Sequence, residues 1–149
     1  MIKRLTALFF DAVLLIVAAT MALSAAAQNA KANKTDFALA GDWRGDSICV
    51  VRESACRDEE SLYHLSRDHE IPGRFLMKGD KIVNGKPVTM GTLSCGYDLK
   101  SHALECAIPS GGVIRLLVQG NEMRGAMTLA DKTEWRRITL KKVVPEDAR

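Results

Sequence analysis

The sequence predicts an all-β fold, a small eight-stranded antiparallel up-and-down β-barrel preceded by a helical signal peptide. Three observations predict it. Beyond residue 40, turn signals recur about every 10–14 residues. The stretches between them alternate apolar and polar residues with the period of a strand. No stretch in that region has the apolar stripe and caps of an amphipathic helix, and Arg52 to Glu60 offers a single helical turn at most.

The first segment is an address. Met1-Ile2-Lys3-Arg4 is a basic n-region, Leu5 to Leu23 is an apolar h-region interrupted by Asp11, and Ala25-Ala26-Ala27 meets the small-x-small cleavage rule. Residues 1–27 therefore read as a signal peptide cut before Gln28. The alternative is an uncleaved anchor, because the apolar run is long enough to span a bilayer. Cleavage removes Lys3, Arg4 and Asp11, which lowers the net charge of +3 by one. A chain so nearly balanced gives no electrostatic case for nucleic acid, or for a membrane surface after cleavage. Residues 28–40 form a polar lead rich in Ala, Lys and Asn, expected to be flexible. Residues 41–143 form the barrel domain and 144–149 a charged tail.

Within the domain, Trp43 to Val51 is the first expected strand and Ser61 to Arg67 the second. The third runs from Arg74 to Lys78 and from Lys81 to Val83, with a break at Gly79-Asp80. Asn84-Gly85-Lys86-Pro87 turns the chain. Val88 to Leu99, His102 to Ile108, Val113 to Gln119, Met123 to Leu129 and Thr133 to Val143 complete the set. Alternation assigns faces. Leu93, Cys95, Tyr97 and Leu99 share one parity, as do Leu104, Cys106 and Ile108. Met123, Met127 and Leu129 oppose Arg124 and Thr128. On the last strand Ile138 and Leu140 face the core, and Arg136 shares their side.

Four cysteines, Cys49, Cys56, Cys95 and Cys106, lie in the exported part. Their even number suits disulfides in an oxidising compartment. Three pairings are open, and sequence-local pairing is preferred. Cys95 and Cys106 flank a hairpin tip whose midpoint falls between Lys100 and Ser101, while Cys49 and Cys56 enclose Val50 to Ala55. A metal site is the competing reading. The chain has no CxxC or HxxxH spacing and scatters its histidines at 64, 69 and 102, so no metal or cofactor is expected.

Gly41-Asp42-Trp43 at the start of the first strand, together with an inward Arg136 on the last, resembles the calycin superfamily of lipocalin-like barrels. The resemblance implies that Trp43 closes one barrel end and that Arg136 packs across it. Within that group the short domain is nearest in outline to small exported bacterial proteins such as the alkaline-proteinase inhibitor family. By that likeness the lead, Gln28 to Ala40, would enter a protease cleft. The six aromatics after residue 27 (Phe37, Trp43, Tyr63, Phe75, Tyr97 and Trp135) argue for an interior filled by Leu, Met, Ile, Val and Cys.

Groups for catalysis are sparse. Asp68-His69-Glu70 is the most suggestive run, but adjacent loop residues rarely converge on one atom. These three and Trp135, which is opposite to Arg136 in parity, are candidate contact residues instead. The expected protein is a periplasmic or secreted, monomeric, non-enzymatic binding module whose partner is an unknown protein or a small apolar ligand. An inhibitor of an exported hydrolase, acting through the lead or a barrel-end loop, is the alternative.

Overall fold

The structure, a computed structural model, describes residues 39–51 and 53–144. The signal segment, most of the lead and the charged tail from Pro145 lie outside the described residues. Eight antiparallel strands follow in chain order: β1 Gly41–Cys49, β2 Glu59–Arg67, β3 Arg74–Val83, β4 Lys86–Asp98, β5 Ala103–Ala107, β6 Val113–Gln119, β7 Glu122–Thr128 and β8 Glu134–Lys142. Each pairs with its neighbour and β8 pairs with β1, so the sheet closes into an up-and-down barrel. Closure pairs the strands all round the ring and leaves an unpaired edge where β4 runs beyond β5, from Lys86 to Ser94.

The turns follow from their residues. Asn84 and Gly85 both take positive φ, 51° and 75°, and close a two-residue β3–β4 hairpin between Val83 and Lys86. Such a turn matches the twist of the flanking strands. Pro87, expected in the turn, lies in β4 opposite Ile82. The β4–β5 tip is held by Asp98, whose carboxylate accepts from Lys100 N at 2.9 Å and Ser101 Oγ at 2.6 Å. Gly79-Asp80 does not break β3. The irregularity lies across the ladder, where Gly79 pairs with Gly91 and Asp80 with Thr89, leaving Met90 as a bulge.

Both disulfides join the sequence-local partners, Cys49 to Cys56 and Cys95 to Cys106. Cys95 and Cys106 are direct cross-strand partners, because the hairpin midpoint between them places them opposite each other. Theirs is also the last β4–β5 pair towards the far end of the barrel; Lys86 to Ser94 have only β3 as a strand partner. The β3–β4 hairpin therefore stands clear of β5 beyond this bridge.

One end of the barrel is packed solid. Trp43 is fully buried, and its Nε1 donates to Leu39 O at 2.9 Å. Leu39, assigned by sequence to the lead, is itself only 1% exposed and belongs to the core. Beside them pack Leu65, Phe75, Leu104, Met123 and Leu140. Gly41 opens β1 at φ 118°, a conformation L residues avoid. Gly125 serves another need: a Cβ there would lie 1.9 Å from Arg115 O on β6. Leu99 shares its expected parity with Cys95 but falls in the turn and is exposed.

Two stability outcomes are expected. Trp43→Ala removes the plug of a full core and should cost about 3–5 kcal/mol in denaturant unfolding. Gly125→Ala forces β6 and β7 apart and should cost about 3 kcal/mol or abolish folding.

Candidate functional site

The end opposite Trp43 holds a cavity of about 460 Å³. Inward-facing positions of seven strands line it: Ser47 on β1, Tyr63 on β2, Met77 on β3, Leu93 on β4, Ile114 on β6, Met127 on β7 and Arg136 on β8. The cavity reaches the rim at Met90 and Pro109, both exposed. Its space has a sequence origin. Gly79 faces it from β3 with no side chain, and a Cβ there would come no nearer than 3.6 Å to Tyr63 Cε1 and 3.7 Å to Tyr63 Cδ1 and Met90 Cε, ordinary van der Waals contact. The interior is thus filled from the Trp43 end and empty at the mouth, where the sequence led us to expect apolar filling.

Arg136 lies at this mouth and not across Trp43. The β1–β8 register pairs Trp43 with Lys142 and Cys49 with Arg136. At about 3.3 Å per residue the offset carries the guanidinium roughly 20 Å along the strand. Parity had assigned it the correct face, but not its height. Arg136 Nη1 donates to Ser47 O at 3.1 Å and Ser47 Oγ at 3.2 Å, and Glu59 Oε1 lies 3.4 Å away. The cation over Trp43 is Lys142, whose Nζ sits 5.4 Å from the ring centroid. That is within cation–π range, and partial burial lowers the ammonium pKa.

Other groups meet at the mouth. Burial pushes the Tyr63 phenol up to about 12, so it stays a hydrogen-bond donor at neutral pH. Glu59 and Lys81 line the same wall as Arg136. The Cys49–Cys56 bridge ties the β1–β2 loop above them, and Asp58 Oδ1 accepts from Cys49 N at 2.8 Å.

The other candidates do not converge here. Asp68 Oδ1 accepts from Glu70 N at 2.9 Å and Ile71 N at 3.1 Å, so it shapes the β2–β3 loop at the Trp43 end. His69 and Glu70 are exposed on that loop. Trp135 is half-buried, with its carbonyl accepting from Val50 N at 3.0 Å. Among the described residues no cluster of His, Cys, Asp and Glu could hold a metal.

A polar set missed by the sequence reading lies on the outer face. His64 Nδ1 is 2.7 Å from Asp42 Oδ1 and its Nε2 is 3.1 Å from Asp80 Oδ2; Lys78 Nζ is 3.4 Å from the same oxygen. Both ring nitrogens face carboxylates, which leaves neither to activate a nucleophile. The set ties β1, β2 and β3 together at the Met90 bulge. Register was the missing signal: Asp42 pairs with His64, and His64 with Lys78.

No protein-family model, curated protein or solved structure matches the chain. The fold itself, a closed eight-stranded antiparallel barrel, is consistent with a calycin-like architecture. Its two disulfides are compatible with an oxidising extracellular environment.

Asp80 makes the outer network sensitive to acid. Burial pushes its carboxyl up, but hydrogen bonds from Thr89, His64 and Lys78 together outweigh this and hold it below the usual carboxylate range. Its contribution to stability is therefore full above the unfolded-state pKa and lost as pH falls through the folded-state value. Thermal unfolding from pH 7 to pH 3 should show Asp80→Asn less stable than the native protein at pH 7, with the gap narrowing in acid.

Proposed function

We propose that this chain is an exported binding module whose barrel mouth takes a small, largely apolar ligand. One observation carries the reading: a cavity of about 460 Å³, within the range of about 300–1,000 Å³ typical of ligand sites, lined mainly by apolar side chains with a few polar groups. The Gly41-x-Trp43 plug and the barrel topology support kinship with the calycins. The signal-like first 27 residues and the two disulfides support export. Binding is favoured over catalysis because Asp68-His69-Glu70, the most suggestive run, lies in the β2–β3 loop at the far end from the cavity, where Asp68 is committed to the loop's own backbone.

Gly79 supplies the test. Its backbone is ordinary and its Cβ position is uncrowded, so Gly79→Ala should leave binding within a few-fold of the native protein. Gly79→Leu should intrude into the cavity and strongly weaken displaceable binding of an environment-sensitive apolar fluorophore. A native protein that takes up no such fluorophore, or a Gly79→Leu variant that binds it as well as native, would falsify the cavity as the site.

A further inference from the structure

From Lys86 to Thr92 every residue of β4 is exposed. A strand in a closed barrel buries alternate side chains, so an unbroken exposed run marks a missing neighbour. β5 does not supply it. Past Ala107 the chain bends into a tight loop, with Ile108 N donating to Gly112 O at 2.8 Å and Gly111 N to Ile108 O at 2.9 Å, and Pro109 has no N–H to give. Among the described residues, β3 is the only strand partner of Lys86 to Ser94. Val88 and Met90 are 44% and 49% exposed on this stretch. Pro87 to Ser94 carries no charged side chain, and charge is a usual guard of an open edge.

The direction of the edge's backbone groups follows from its two ends. Val83 and Lys86 flank the two-residue turn and bond each other, which turns Pro87 and Thr89 outwards. Pro87 suits that place, because its nitrogen owes β3 no bond. At the other end the Cα atoms of Cys95 and Cys106 are 4.1 Å apart, the spacing of a non-hydrogen-bonded pair. Cys95 therefore bonds β3, and alternation turns Ser94 and Thr92 outwards. The open side thus presents the N–H and C=O groups of Thr89, Thr92 and Ser94, and the C=O of Pro87. Of these, Ser94 O already accepts from Arg74 Nη2 at 2.9 Å.

We propose that the occupant of this edge is the same edge of a second copy of the chain, in a two-fold antiparallel pair. One register fits every position. Thr89 of each copy lies opposite Thr92 of the other, and the two exchange both backbone hydrogen bonds. Ser94 N donates to Pro87 O, and the bond that Pro87 cannot return is not needed, because Arg74 satisfies Ser94 O. Val88 meets Leu93. Met90 meets Gly91, where, chain neighbours aside, no atom lies within 4 Å of the place a Cβ would take. The two Lys86 side chains fall at opposite ends of the pair and do not repel. An uncharged strip offers a foreign strand nothing to select it, whereas its own copy matches it by size and hydrogen bonding, as in the isologous two-fold interfaces that dominate homo-oligomers.

Sedimentation equilibrium of the native protein should show monomer and dimer in exchange, with a dissociation constant on the order of micromolar, as suits a small interface. Thr92→Pro removes an outward N–H and no bond to β3. It should weaken the dimer about tenfold or more and leave the melting temperature of the dilute monomer nearly unchanged. Met90→Lys sets two cations beside the two-fold axis and should also weaken the dimer, most at low salt. Cross-linking reads the register. Val88→Cys and Leu93→Cys copies, mixed under mild oxidation, should join through an intermolecular disulfide, and neither variant alone should do so to the same extent. A native protein still monomeric at about 1 mM overturns the proposal, even if its edge captures a foreign strand. A dimer that both Thr92→Pro and Met90→Lys leave intact, or mixed copies that do not cross-link, also overturns it. If Thr92→Pro does not fold, Met90→Lys and the cross-link decide. None of these outcomes bears on ligand binding by the cavity.

Discussion

Everything in this barrel is arranged around the burial of Trp43. An eight-stranded barrel has one interior, just wide enough for side chains to fill or for one small ligand. Trp43 and the side chains packed beside it fill their end of that interior, and its indole N–H is satisfied by Leu39 O. Lys142 covers the ring from β8, the strand that closes the barrel on β1. One interaction thus joins the segment before β1, β1 itself and β8. The large side chains spent there are not available at the other end.

That imbalance accounts for the mouth. Gly79 faces inward where most inward positions carry bulk, and Met90 bulges out of β4 across the ladder from it. Past Cys95–Cys106 β4 runs on without β5, so the wall opens where Leu93 and Ile108 face the cavity. The second disulfide holds the β1–β2 loop over the same rim. Closure at one end and cross-links around the other are what let a small barrel keep an unfilled space, because packing lost at the mouth must be offset by constraint elsewhere.

Much of the fold was legible from local signals. Asn84-Gly85 announced its hairpin, the spacing of Cys95 and Cys106 announced their pairing, and alternation assigned Leu104, Cys106, Ile138 and Leu140 to the interior. Where the reading failed, it failed on height along the barrel. Period-two alternation tells which face a side chain takes and nothing about how far up the axis it sits. Arg136 was therefore assigned to the inner face correctly and to the wrong end. The His64 set on the outer face was missed for the same reason, since three strands bring it together only through their register.

Composition misled in an instructive way. Few aromatics suggested a filled interior, yet the same scarcity leaves the mouth empty once Trp43 and Phe75 are committed to the packed end. From its sequence alone this protein had an all-β barrel, most of its turns, its local disulfides and the inward faces of β4, β5, β7 and β8, because these depend on neighbours a few residues apart. The tertiary structure alone decided which end is plugged, that Lys142 and not Arg136 lies over Trp43, and that Arg136, Lys81 and Glu59 converge on a cavity. Those depend on strand register and on the summed volume of side chains from all around the ring, and no local window of sequence contains either.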